Sequence, residues 1–241
     1  MRLLTSGCSF TKHCWTTWSD ILSKSFNECL NIGEGGQDNA SIARSIIGNA
    51  TSNDIVVIMW TSFDRWSMYS DDPIFRYGHN DYHWKHNGTV LAAHGKEFFT
   101  KYYHKVERFQ TTMDYIQLID LHSKNNGYTA YHFSAFPFYR GEMEKNTDPR
   151  LVDIYKQYNI TNNYLLEISL DEFTDTHEDR PLVYHKYAST GDNHPLPLAN
   201  YHYVEQIIAP RVGIDLNSDQ LSSIIKEQEN IVTHGKLKDE T

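Results

Sequence analysis

Short apolar runs alternate with amphipathic stretches over residues 2–60. RLLTS (2–6) reads as a first strand, and TWSDILSKSF (17–26) brings Trp18, Ile21, Leu22 and Phe26 to helical spacing. CLNIG (29–33) is a second short strand closed by glycine. DNASIARSIIGNA (38–50) opens with Asp and Asn near an N-cap and places Ile42, Ile46 and Ile47 on one face of a helix. DIVVIMW (54–60) is an unbroken run rich in β-branched residues, the pattern of a strand covered on both faces. The alternation βαβαβ predicts parallel strands joined by right-handed helical crossovers, with helices on both sides of the sheet.

Residues 65–104 interrupt this alternation. Trp66, Tyr69, Phe75, Tyr77, Tyr82, Trp84, Phe98, Phe99, Tyr102 and Tyr103 are interleaved there with Asp, His and Gly. The stretch reads as an insertion over the sheet edge that carries the loops after the strands. Its aromatic faces either line a pocket for a sugar or another planar ligand, or pack the insertion against the body. A helix is predicted over 105–124, a turn at 125–127 and a fourth strand over 128–136. Residues 137–180 read as irregular and acidic, with a short helix near 149–158. PLVYHKY (181–187) suits a fifth strand, 197–208 and 217–232 suit helices, and the tail from about 234 reads as frayed. With no repeat, low-complexity run or linker, the 241 residues are expected to form one domain.

Composition narrows the partners. Hydrophobic residues make up 39% and charged residues 22%, and the net charge of −9 disfavours non-specific binding of nucleic acid through its phosphates. No segment approaches the ~18 apolar residues of a membrane helix. Thr5, Ser6 and Ser9 interrupt any apolar core of a signal peptide, so the expected compartment is the cytoplasm. Cys8, Cys14 and Cys29 have no metal-binding spacing and are expected as free thiols. His79, His83 and His86 cluster in YGHNDYHWKHNG, but the glycines and asparagines around them mark a loop, and no HExxH or CxxC accompanies them. Neither a metal nor a cofactor is expected.

In an open α/β sheet, ligands bind at the carboxyl ends of the strands. GCSFT follows the first strand, NIGEGGQDN (31–39) the second and WTSFDR (60–65) the third; GDNHP (191–195) precedes a late helix. Together they offer a hydroxyl, several hydrogen-bond donors, and an Asp with a His. These blocks resemble those of the SGNH (GDSL-type) hydrolase superfamily. GCSFT is similar to its first block, Asn31, Gly33, Gly36 and Asn39 to its glycine-bearing second, and GDNHP to its last, over residues 5 to about 208. The wording is also similar to members encoded by phages, for which host cytoplasm or virion is the expected location.

The resemblance implies a flavodoxin-like three-layer α/β/α sandwich with a mainly parallel sheet, to which the residues of 65–104 add an aromatic-rich insertion. It implies acyl transfer through a serine ester, with Ser9 as nucleophile, His194 as base and Asp192 orienting the imidazole. The oxyanion would be met by the Ser9 N–H, the backbone near Gly36, and a third donor from Ser62, Thr61 or Asn39. The chain departs from the family at three points. Cys8 stands where Asp is usual, WTSFDR lacks the third-block Asn and has Phe63 in its place, and Asp192 and His194 are two residues apart where many members have three.

The expected function is an esterase or deacylase acting on a small-molecule or carbohydrate ester. The rivals are an O-acyltransferase of the same fold and a catalytically silent binding or structural module. A nucleotide-binding protein using GEGG as a phosphate loop is disfavoured, because that motif lacks the P-loop Lys. The sequence is silent on oligomeric state.

Overall fold

β1 (Arg2–Gly7) is an inner strand, flanked by β2 (Glu28–Asn31) on one side and β3 (Ile55–Trp60) on the other, with β6 (Thr129–Ser134) beyond β3. All three pairings are parallel. This order is read from a computed structural model, which describes residues 1–63, 65–68, 83–85, 104–137, 149–176, 194–217 and 219–234. The chain leaves β1 towards β2 and returns past it to β3, so the direction of winding reverses at the carboxyl end of β1. Ligands collect at such a switch point because the connecting loops diverge there and leave a crevice.

Alternate residues of each strand feed two apolar clusters, one on each face. Leu3, Val57, Met59 and Phe133 meet α1 (Trp18–Ser23) and the C-terminal helices through Trp18, Leu22, Tyr203 and Ile208. Leu4, Val56, Ile58 and Trp60 meet α2 (Asn39–Asn49) and α3 (Lys105–Asn126) through Ile42, Ile46, Phe109 and Met113. The protein is therefore a three-layer α/β/α sandwich. The polar residues of β1 obey the same alternation. Thr5 Oγ1 lies 2.6 Å from Ser19 Oγ of α1, and Ser6 Oγ lies 3.2 Å from Ser45 Oγ of α2, so each buried hydroxyl meets a partner on its own side.

The helix ends follow local chemistry. Asp38 caps α2 by accepting from the Ser41 N–H at 2.9 Å, and Gly127, at φ +72°, ends α3. Ile47 departs from the expected apolar face of α2. It is 37% exposed, because the apolar side chains of α2 that turn towards the sheet are Ile42, Ala43 and Ile46. α4 (Pro149–Lys156) occupies the short helix expected near 149–158. α5 (Leu170–Thr176) replaces part of the stretch read as irregular. Its cause is a capping box: Glu172 N–H donates to Ser169 Oγ at 3.2 Å, and Ser169 N–H donates to Glu172 Oε2 at 3.0 Å.

The helix expected over 197–208 is a longer run in three pieces: α6 (Pro197–Tyr203), a π-helical turn (Val204–Ile208) and α7 (Ala209–Val212). Pro210 has no N–H to give to the Gln206 carbonyl; Arg211 Nη1 supplies a donor at 3.2 Å instead. α8 (Asp219–His234) completes this side. Beyond β6, Tyr164 N–H donates to His132 O at 2.9 Å and His132 N–H to Asn162 O at 3.0 Å, a one-residue extension of the sheet. His132 itself is wholly buried and accepts from Trp60 Nε1 at 3.1 Å. Burial pushes its pKa down to about 4, with a smaller opposing pull from Asp120.

Within 65–104, β4 (Trp66–Met68) pairs antiparallel with β5 (His83–Lys85). The strand expected at 181–187, His79, His86 and the tail from 235 lie outside the described residues. Among the described residues no helix is long and apolar enough to cross a membrane, and no cluster of three or more His, Cys, Asp or Glu could hold a metal ion.

Candidate active site

Gly7 ends β1, and the chain turns at once: Thr11 N–H donates to the Cys8 carbonyl at 2.8 Å. A Cβ on Gly7 would stand 2.8 Å from the Met59 carbonyl of β3 and closer still to the Thr11 hydroxyl. Only glycine lets the turn fold back this tightly on the neighbouring strand. Ser9 rides on that turn, half-buried, at the rim of the switch point. His194 Nε2 lies 2.6 Å from Ser9 Oγ across 185 residues of sequence. Asp192 lies outside the described residues.

The loop carrying His194 is held by two side chains of the opposite end of the chain and of α6. Trp15 Nε1 donates to the Pro195 carbonyl at 2.8 Å, and Asn200 Nδ2 donates to the same carbonyl at 2.9 Å. Asn200 Oδ1 accepts the Trp18 N–H at 3.0 Å, which ties the start of α1 to the same point. α8 reinforces this attachment: Glu227 receives Thr16 N–H at 3.0 Å, and Gln228 Oε1 receives Leu198 N–H at 2.8 Å. Rings surround the imidazole. Phe10 meets it edge-on with centroids 5.4 Å apart, Phe136 packs on Phe10 at 4.8 Å, and His13 lies 4.2 Å away at 46°. The Arg65 guanidinium sits over the Phe136 ring, 5.1 Å from its centroid.

The glycine loop of 31–38 is zipped to the end of β1. Ile32 N–H donates to Thr5 O at 2.9 Å and Glu34 N–H to Gly7 O at 3.2 Å. Gly36 then takes the third position of a turn closed by Gln37 N–H on Glu34 O, with φ +80°, a value that favours glycine. Asn39 is buried, and its side chain is committed within the fold. Its Oδ1 accepts Thr61 N–H at 2.9 Å, while Nδ2 donates to Thr61 O at 3.0 Å and Thr112 Oγ1 at 3.3 Å. The amide thus clasps the residue after β3 to the start of α2. Ser62 is half-buried on the loop so held, and its carbonyl accepts the Arg65 N–H at 3.1 Å. Arg108 of α3 fixes the other end by donating to Arg65 O at 2.8 Å.

Ser9 and His194 thus meet as one pair, Gly36 sits on the loop joined to β1, and Asn39 and Ser62 flank the end of β3. His13, Trp15, Phe136 and Asn200 were absent from the sequence reading of the site. Phe10 alone carries a signal there, as the apolar residue after the serine.

Fold and site define an α/β sheet protein with a serine–histidine pair at its switch point. No protein-family model matches the chain, and no curated protein matches it in sequence. Among solved structures, a catalytic mutant of Axe2, an acetylxylan esterase from Geobacillus stearothermophilus, is 14% identical, with 90% of this chain and 96% of that chain covered and a TM-score of 0.48. Axe2 itself is 13% identical over the same shares, with a TM-score of 0.47. A Bacillus subtilis protein is 9% identical, with 97% of this chain and 57% of that chain covered and a TM-score of 0.37. Likenesses this distant do not carry an activity from one chain to another.

Proposed function

We propose that the protein is a serine-dependent ester hydrolase in which Ser9 and His194 do the chemistry. The observation that carries this reading is the 2.6 Å approach of Ser9 Oγ to His194 Nε2 at the carboxyl end of β1. A hydroxyl is a poor nucleophile at its own pKa, and a positioned imidazole that removes its proton corrects this. In the proposed reaction Ser9 Oγ attacks the ester carbonyl carbon while His194 Nε2 takes the proton. Backbone N–H groups at Ser9 and Gly36, with Ser62 as third donor, receive the oxyanion. The tetrahedral intermediate collapses as His194 returns the proton to the departing alcohol. Water, deprotonated by His194, then releases the acid. Asp192, two residues before His194 in sequence, is assigned to hold the Nδ1 proton.

The substrate class assigned is a small-molecule ester, with an O-acylated carbohydrate first, on the ground of the aromatic density of residues 65–104. The test is labelling with a fluorophosphonate probe. Stoichiometric modification of wild type that disappears in Ser9→Ala supports the reading, and failure of wild type to label at any pH overturns it. Hydrolysis of p-nitrophenyl acetate with and without acceptor alcohols separates a hydrolase from a transferase.

A further inference from the structure

We infer that His13 is a positioning residue for His194. The inference rests on the reading of Ser9 and His194 above, and it deepens it. The His13 ring packs against two others: Trp15 at 4.0 Å between centroids and 36°, and His194 at 4.2 Å and 46°. Cys14 Sγ, 2.9 Å from His13 Nδ1, sets the ring's rotation. Trp15 is itself immobilised, 1% exposed and bonded through its indole N–H to Pro195. Trp15 and His13 thus form a continuous support that begins at the backbone of the His194 loop and ends against the His194 ring, inclined to it.

The physical need for such a wall is geometric. An imidazole has a broad second torsion, so a backbone anchor one residue away leaves the ring free to turn about its Cβ–Cγ bond. The Phe10 and His13 rings close off that rotation and leave Nε2 aimed at Ser9 Oγ. The Cys14 thiol on its own loop and His194 from the loop before α6 are titratable groups that face His13. α8 meets this loop further along, through Glu227 at Thr16.

The experiment follows the His194 ring nitrogens by proton–nitrogen correlation through a pH titration, in wild type, His13→Phe, His13→Gln and His13→Ala, beside the rate of fluorophosphonate labelling at Ser9. His13→Phe keeps a ring, His13→Gln keeps a partner for Cys14 without one, and near-ultraviolet circular dichroism confirms folding of each. The expected result is a single His194 tautomer in wild type and His13→Phe, and a mixture in His13→Gln and His13→Ala. Labelling should fall about 10- to 100-fold in the two ringless variants, the scale of a misplaced catalytic group, and recover in His13→Phe. An unchanged His194 tautomer and titration in both ringless variants overturns the inference. If wild type does not label yet His194 responds to His13, the hydrolase reading fails and the positioning role stands.

Discussion

The indole N–H of Trp15 donates to the carbonyl of Pro195 at 2.8 Å, joining the turn after the first strand to the loop that carries His194. Neither residue touches Ser9 in this bond, yet it fixes the backbone next to the imidazole. Trp15→Phe keeps an aromatic body against Leu196, Ala199 and Ile231 but removes the donor and one ring of the indole. The expected loss is about 2 kcal/mol of stability in urea denaturation: about 1 for the buried hydrogen bond, since Asn200 still covers the carbonyl, and the rest for the space the smaller ring leaves. Trp15→Ala should cost about 3–5 kcal/mol, because the indole is buried and its cavity would not close.

Gly7→Ala places a methyl group 2.8 Å from the Met59 carbonyl, which belongs to a central strand and has little room to retreat. The expected outcome is a loss of about 1–3 kcal/mol, measured by thermal unfolding. Slower fluorophosphonate labelling should accompany it, because Ser9 hangs on the same turn. A variant of wild-type stability would show that the turn can shift without cost.

Much of the architecture was legible in the chain because the forces that set it are local or periodic. The β-branched run of 54–60 could only be satisfied by cover on both faces, and β3 has it. The capping box of Ser169 and Glu172 was equally local, and its Ser-x-x-Glu spacing predicts α5 once it is noticed. The π turn is different. It depends on Pro210 meeting a helix that tertiary packing holds on course, and periodicity alone extends an ordinary helix through it.

The site was legible only as far as residue types at strand ends can take it. Ser9, His194 and Gly36 are announced by turns and glycines in sequence. His13 and Asn200 are not, since their roles depend on contacts made across 181 and 182 residues, respectively. Asn39 shows the opposite hazard. An amide near a glycine loop reads as a donor for a ligand, whereas burial commits both of its N–H groups to the fold.

That commitment makes Asn39 a test of loop anchoring. Asn39→Ala leaves the Thr61 N–H and carbonyl without their partner in a buried place, so stability should fall by about 1–3 kcal/mol in urea denaturation. Asn39→Asp still accepts the Thr61 N–H but sets a carboxylate oxygen against the Thr61 carbonyl. It should therefore be the worse of the two at neutral pH and recover as the pH is lowered and the carboxyl takes a proton.

His132 gives the fold an acid limit. Burial holds its pKa near 4, against 6.5 for an ordinary histidine, because the protonated ring would sit wholly out of water. The unfolded chain takes up this proton at a higher pH than the folded one does. Stability from His132 is therefore complete above about pH 6.5, and it is lost progressively as the pH falls from there to about 4. The whole contribution is about 3 kcal/mol by linkage between those two values. Carboxylates add their own acid losses, so the readout is the difference between wild type and a variant. His132→Gln retains an acceptor for the Trp60 indole N–H and carries no titratable ring. Urea midpoints measured between pH 7 and pH 4 should fall less steeply in this variant than in wild type, starting from a lower value at pH 7. Parallel curves for the two proteins would mean that His132 takes its proton in the folded state as readily as in the unfolded one.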